Sequence, residues 1–320
     1  MKKPRIIFMG TPEFAAHSLK TLHSAGANIV GVVTAPDRKS GRGMKLSPSA
    51  VSETATELNL PTLKPEKLKN EDFLAELKAL KPDIQVVVAF RMLPEMVWNL
   101  PRLGTFNIHA SLLPQYRGAA PINWALINGE KQSGVSSFFL SHEIDTGNVI
   151  FQEKIDILPD DDAGTLHDKL MLLGAELMLK TVNAIADGTA KAYPQSALEA
   201  GEVLKTAPKI FKDDCRIDWN QQCMSIHNKI RGLSPYPAAW TEISAPGTEP
   251  LMLKIFRTKI ATDSQNLKPG EIFSDGKTVL KVGTADGILQ IEELQLAGKK
   301  RMPTSDFLRG YNLQPATQLS

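Results

Sequence analysis

Asn107 and His109 stand two residues apart in the run NIHASLLPQYRGAAPINW, residues 107–124. A neutral histidine takes or gives a proton near pH 7, and an asparagine amide hydrogen-bonds a developing oxyanion. Two apart on a strand, both side chains fall on one face. A core histidine beside a strand-end asparagine has the same spacing, so spacing alone leaves both readings open. Ile144-Asp145-Thr146-Gly147 sets an acid in a tight turn. Its carboxylate could reach the same place, orient the imidazole and favour its charged form. A plain turn cap is the alternative.

Ser111-Leu112-Leu113-Pro114 follows the histidine at once. A loop with a polar start, two apolar residues and a rigid end can set backbone N–H and C=O groups beside an apolar wall. That suits a flat heterocycle with an amide-like edge. The segment 35–49, APDRKSGRGMKLSPS, alternates Arg38, Lys39, Arg42 and Lys45 with Gly41 and Gly43. A long basic loop with glycines seeks phosphates, or is simply a solvated surface loop.

These residues need a frame. Arg5–Met9 is a continuous β-rich run, as expected for a strand covered on both faces. A turn at Gly10-Thr11-Pro12 leads to Phe14, Ala15, Leu19 and Leu22 at helical spacing. Asn28–Thr34, Ile84–Phe90 and Gly104–His109 read as further strands, and Leu74, Leu77 and Leu80 mark a helix ended by Pro82. Alternating strands and helices predict βαβ units and a parallel-rich sheet. Ligands bind in such sheets at the carboxyl ends of the strands, where Asn107 and His109 stand. Val135–Leu140 and Val149–Ile155 add strands on either side of Asp145, and Ala163–Ala186 predicts a long closing helix.

Residues 191–207 read as a polar linker between a domain at 1–190 and a second at 208–320. Beyond it, Leu251–Phe256, Thr278–Val282 and Ile288–Leu294 are separated by Pro269-Gly270, Asp275-Gly276 and Asp286-Gly287. Short strands between turn signals predict a small antiparallel barrel.

The chain of 320 residues carries 37 Lys and Arg against 35 Asp and Glu, a net +2. That is too little to advertise a polyanion partner over the whole surface, so any nucleic-acid contact must be local. The part beyond residue 190 is only slightly more basic, at +3 from 17 cations and 14 anions. Two cysteines, Cys215 and Cys223, make no disulfide framework and no zinc pattern. No G-x-G-x-x-G follows the first strand. No full G-x-x-x-x-Gly-Lys-Ser/Thr phosphate loop, H-E-x-x-H pair or G-x-S-x-G elbow occurs. Dehydrogenase, ATPase, zinc hydrolase and serine hydrolase chemistry therefore lose weight. The N-terminal apolar run is too short for a signal peptide and no apolar stretch reaches ~18 residues, so a cytoplasmic, membrane-free protein is expected.

Taken together the segments resemble the methionyl-tRNA formyltransferase family of folate-dependent formyltransferases. RIIFMGTPEFA, PDRKSGRGMKL, NIHASLLPQYRGAAPINWA and DTG carry the resemblance in the first half. RIDW at 216–219, Ile230-Arg231 leading to Pro235-Tyr236-Pro237, DGIL and AGKK at 297–300 carry it in the second. The resemblance implies an α/β fold: a Rossmann-like formyltransferase domain followed by an OB-fold-like barrel. It also implies formyl transfer from 10-formyltetrahydrofolate to the methionine amine of initiator methionyl-tRNA, without a metal. Asn107, His109 and Asp145 match the family's catalytic residues. Ser111, Leu112, Leu113 and Pro114, with Phe90 and Arg91, match its folate-binding segments. Arg38, Lys39, Arg42 and Lys45 match its tRNA-facing loop, and Lys299 and Lys300 a weaker contact from the barrel. Ala89-Phe90-Arg91 stands where the family has Ala-Tyr-Gly, and Ser141 and Glu143 stand where it has an acid and a glycine.

Three other functions fit some of these residues. A formyltransferase for a small amine would use the same triad and would need neither the basic loop nor the barrel. A formyltetrahydrofolate hydrolase would put water in the amine's place. A non-catalytic RNA-binding protein would have no use for an intact Asn-His-Asp set. A monomer is expected.

Overall fold

The computed structural model describes residues 3–40, 45–199, 201, 203–262 and 266–320. In chain order the elements that build its first half are β1 (Arg5–Gly10), α1 (Glu13–Ser24), β2 (Asn28–Val33), β3 (Arg38–Ser40), β4 (Lys45–Ser47), α2 (Ala50–Glu57), β5 (Thr62–Leu63), α3 (Glu71–Ala79) and β6 (Ile84–Val88). They continue through α4 (Glu95–Trp98), β7 (Thr105–His109), β8 (Arg117–Gly118), α5 (Pro121–Ile127), β9 (Gln132–Phe139), β10 (Val149–Asp156) and α6 (Ala163–Ala186). The chain forms two compact units. The first comprises Met1–Gly118, Gln132–Ile155 and His167–Thr206; the second comprises Ala119–Lys131, Asp156–Leu166 and Ala207–Ser320.

The first unit is built on a seven-stranded sheet in the order β10-β9-β7-β6-β1-β2-β5. Its middle strands β1, β2, β6 and β7 pair in parallel, as the βαβ alternation predicts. Ile6 to Met9 are almost wholly buried, which is why β1 reads as an unbroken apolar run. From β1 the chain moves outward through β2 and β5, then returns to the other side of β1 as β6. The order reverses between β1 and β6, the point at which an open α/β sheet makes its crevice. β9 is the exception to parallel pairing: it runs antiparallel to β7, with His109 opposite Ser136. A further departure comes from short-range bonds. The segment 35–49 is not all loop, because Arg38–Ser40 pairs antiparallel with Lys45–Ser47. Its base is pinned where the Thr34 and Ser49 hydroxyls meet at 2.7 Å.

The second unit includes α5, and its further elements are, in order, β11 (Thr206–Ala207, at its edge), α7 (Cys223–Leu233), β12 (Ala239–Ser244), β13 (Leu251–Ile260), β14 (Ile272–Ser274), β15 (Leu280–Gly283), β16 (Ile288–Leu296), β17 (Met302–Pro303), α8 (Thr304–Gly310) and β18 (Gln318–Leu319). The antiparallel sheet runs β14-β15-β16-β13-β12-β18, and a bridge between Glu271 and Gln318 nearly closes it into a barrel. At the seam Gly270 adopts φ +79°, and a Cβ there would lie 2.3 Å from the Leu319 carbonyl oxygen, so glycine is required. β15 begins at Leu280, two residues later than its β-rich run suggests. The Asp275 carboxylate accepts from the N–H groups of Lys277, Thr278 and Val279, which takes Thr278 and Val279 out of the ladder. α7 had gone unread in the sequence. Its signal is Cys223, Ile226, Ile230 and Leu233, all buried against the barrel strands.

Candidate active site

His109 ends β7 and is 7 % exposed. Its ring lies edge-on to Phe138, centroids 6.5 Å apart. Nε2 is 2.8 Å from the Tyr116 carbonyl oxygen. A carbonyl only accepts, so Nε2 carries the hydrogen and Nδ1 is the nitrogen left for proton exchange. Nδ1 faces the Asp145 carboxylate at 3.8 Å. That gap is too long for a direct hydrogen bond. Two residues back, the Asn107 Oδ1 is buried and has no hydrogen-bond partner among the described residues. A buried amide oxygen without a protein partner is free to accept from a ligand.

Asp145 lies in the turn between β9 and β10, at φ +54°. Its Oδ2 accepts from the Gly118 N–H at 3.1 Å. The turn is held from several sides. Gln195 donates to the Asp145 and Gly147 carbonyls. The Ser141 and Thr146 hydroxyls meet at 3.0 Å, so these hydroxyls close the turn where the family pattern has an acid. Gly147 is packed so tightly that a Cβ would come within 1.7 Å of the Phe139 carbonyl oxygen.

The 111–114 loop is fastened inward. The Ser136 hydroxyl donates to the Ser111 carbonyl and accepts from the Leu113 N–H. Gln152 donates to the Leu113 carbonyl, and the Ser111 hydroxyl donates to Gln115 O. The Ser111 carbonyl and both backbone groups of Leu113 are therefore bonded to the scaffold. Leu113 and Pro114 are buried and Leu112 is half-buried.

Phe90 and Arg91 follow β6 on the crevice side. Arg91 does not fill the place of the expected glycine. Its guanidinium turns away and donates to the Pro65 and Glu66 carbonyls. Partial burial, and then the nearby Arg38 cation, lower the Arg91 guanidinium below its ordinary range. Beside it is a cavity of about 590 Å³ whose wall carries Lys67, Lys69, Met92, Trp98 and His142. Of the basic loop, Arg38 is exposed, Lys39 and Lys45 lie in β3 and β4, and Arg42 falls outside the described residues. Lys299 and Lys300 are exposed in the turn between β16 and β17 of the second unit. His109 and Asp145 are thus brought together in the first unit, with Asn107 two residues back on the same strand. The residue missed by sequence reasoning is Gln195, which no local motif marks.

Residues 4–182 match the formyl transferase family, and residues 209–312 match the formyl transferase C-terminal domain. The chain belongs to the formyltransferase family. A methionyl-tRNA formyltransferase of Bacteroides fragilis is 52 % identical over 321 residues, covering 100 % of this chain and 99 % of that one. One from Parabacteroides distasonis is 55 % identical over 316 residues, covering 97 % of each. Among solved structures, the sugar 3N-formyl transferase WlaRD has a TM-score of 0.65 at 20 % identity, covering 94 % of this formyltransferase and all of that chain. HypX from Aquifex aeolicus in complex with tetrahydrofolic acid has a TM-score of 0.64 at 19 % identity, covering 96 % of this chain and 47 % of its own. These two show the fold alone. Among the described residues no helix is long and apolar enough to cross a membrane.

Proposed function

We propose that the protein transfers a formyl group from 10-formyltetrahydrofolate to the amino group of methionine on initiator methionyl-tRNA. The observation that carries this is the match of 52 % identity along the whole chain to relatives of that name. The geometry supports the chemistry. The amine attacks the formyl carbon and a tetrahedral oxyanion forms. The Asn107 amide, at the strand end, would stabilise it by donating from Nδ2. The amine's proton leaves into the gap between Asp145 and His109 Nδ1. The imidazolium, opposite the carboxylate, then protonates the departing folate nitrogen. The C–N bond to the folate breaks and the new C–N bond to methionine remains.

The donor suits the crevice beside β6. A folate brings a flat ring system and carboxylates. Met92 and Trp98 offer apolar surface, and Lys67, Lys69 and Arg91 offer positive charge. The acceptor's phosphates suit the loop bearing Arg38, Lys39, Arg42 and Lys45, and more weakly Lys299 and Lys300. The basic loop is the feature that favours tRNA over a small amine.

Incubation with formyl-labelled 10-formyltetrahydrofolate and charged initiator tRNA tests the reading, with uncharged tRNA as control. Label on the methionine amine is expected only with the charged tRNA. Release of formate without acceptor would instead reveal a hydrolase, and equal transfer to small amines the second enzyme class.

A further inference from the structure

We propose that Gln195 is a positioning residue for formyl transfer, fixing the main chain of the 145–147 turn so that the Asp145 carboxylate faces His109. The inference rests on the catalytic reading given above.

Gln195 is 3 % exposed and opens a short 3₁₀ turn after Pro194. Its amide has two hydrogens and one oxygen with two lone pairs, and all are used. Nε2 donates to the Asp145 carbonyl at 2.7 Å and to the Gly147 carbonyl at 2.9 Å. Oε1 accepts from Arg117 Nε at 2.9 Å and from Arg117 Nη2 at 2.7 Å. A side chain spent on two carbonyls of one turn holds that turn's peptide planes. An amide oxygen that accepts from two donors on one edge of a guanidinium is held against swinging away.

The grip closes a ring around His109 and Asp145. Tyr116, Arg117 and Gly118 are consecutive. Tyr116 O holds His109 Nε2, the Arg117 side chain holds Gln195, and the Gly118 N–H holds Asp145 Oδ2. The 116–118 segment therefore fixes the imidazole directly, the Asp145 carboxylate through the Gly118 N–H, and the Asp145 main chain through Arg117 and Gln195. Asp145 needs such support, because a non-glycine residue at φ +54° persists only where its surroundings over-determine it. Gln195 itself is delivered by a local anchor: Tyr193 and Val149 exchange both backbone hydrogen bonds at 2.8 Å. The segment that reads as a linker in the sequence thus supplies a wall of the site.

The test is a double-mutant cycle between Gln195→Glu and Asp145→Asn, read in single-turnover formyl transfer to charged initiator tRNA. Gln195→Glu keeps the volume and the acceptor for Arg117 but removes both donors to the turn. In the otherwise wild-type protein the rate of transfer is expected to fall about 10–100-fold, the scale of a small misplacement at a reacting centre. The KM for the folate should stay within about 3-fold. In the Asp145→Asn background the same substitution is expected to cost less than about 3-fold, because the group it positions is gone. A merely structural glutamine would lower both backgrounds equally, and equal losses overturn the proposal. Should Gln195→Glu fail to fold, Arg117→Ala, at a half-buried side chain, is read in the same cycle and decides it alone. Full activity in Asp145→Asn itself would overturn the catalytic reading rather than the role of the glutamine within it.

Discussion

His109 Nδ1 and Asp145 Oδ2 face each other at 3.8 Å across the crevice, although 36 residues separate them in the chain. Neither side of that gap is loose: His109 is tied through Nε2 to Tyr116, and Asp145 through its carboxylate to Gly118. On the proposed mechanism, a pair held in this way would meet the reacting nitrogen with little reorganisation.

If His109 handles the proton, His109→Ala should lower turnover by about 10²–10⁴ while donor binding persists. Asn107→Ala should cost about 10²–10³, the scale of one oxyanion donor. Steady-state turnover paired with equilibrium binding of the folate checks both. Near-normal turnover in either variant removes that residue from the mechanism.

Gly147→Ala should damage fold and activity together. The added Cβ meets the Phe139 carbonyl oxygen at 1.7 Å, so β9 or the turn must move. A loss of about 1–3 kcal/mol is expected, as for overpacking generally. Urea unfolding measures it, and an unchanged midpoint would contradict the packing described for the turn.

In the second unit, burial first and then the Arg231 cation hold His227 below its ordinary value, with Asp160 opposing. Its Nδ1 is 3.0 Å from the Thr258 hydroxyl. Folded His227 stays neutral where unfolded His227 takes a proton, so the unfolded chain binds more protons below the ordinary value of 6.5. Its contribution to stability is present above that pH and declines as pH falls toward the folded value. The limit is one proton's worth, about 1.4 kcal/mol per pH unit. Thermal unfolding of wild type and His227→Gln from pH 7.5 to 5 should show wild type losing more on acidification. Parallel curves would remove His227 from the linkage.

Arg42 stands between two glycines in a loop with Arg38, Lys39 and Lys45. Arg42→Ala should weaken binding of charged initiator tRNA and reduce the slope of log affinity against log salt by about 1. Folate binding should not change. Filter binding across a salt series makes the comparison, and coincident lines for the two proteins would favour the small-amine reading.

The sequence alone determined the elements whose signals are local. The apolar run of β1 and the 24-residue periodicity of α6 each reflect burial along one element, so both were legible, α6 over its full length at Ala163–Ala186. Asn107 and His109 were readable as a pair because the strand's period of two sets their common face. The tertiary structure alone decided what depends on groups far apart in the chain. α7 went unread because its buried side, Cys223 to Leu233, has meaning only against the barrel strands. The inward bonds of Ser111 and Leu113 required Ser136 and Gln152, which no motif links to them. Gln195 was invisible for the same reason. A single buried amide in a polar stretch carries no periodicity, and its role exists only once folding sets it between Arg117 and the carbonyls of Asp145 and Gly147.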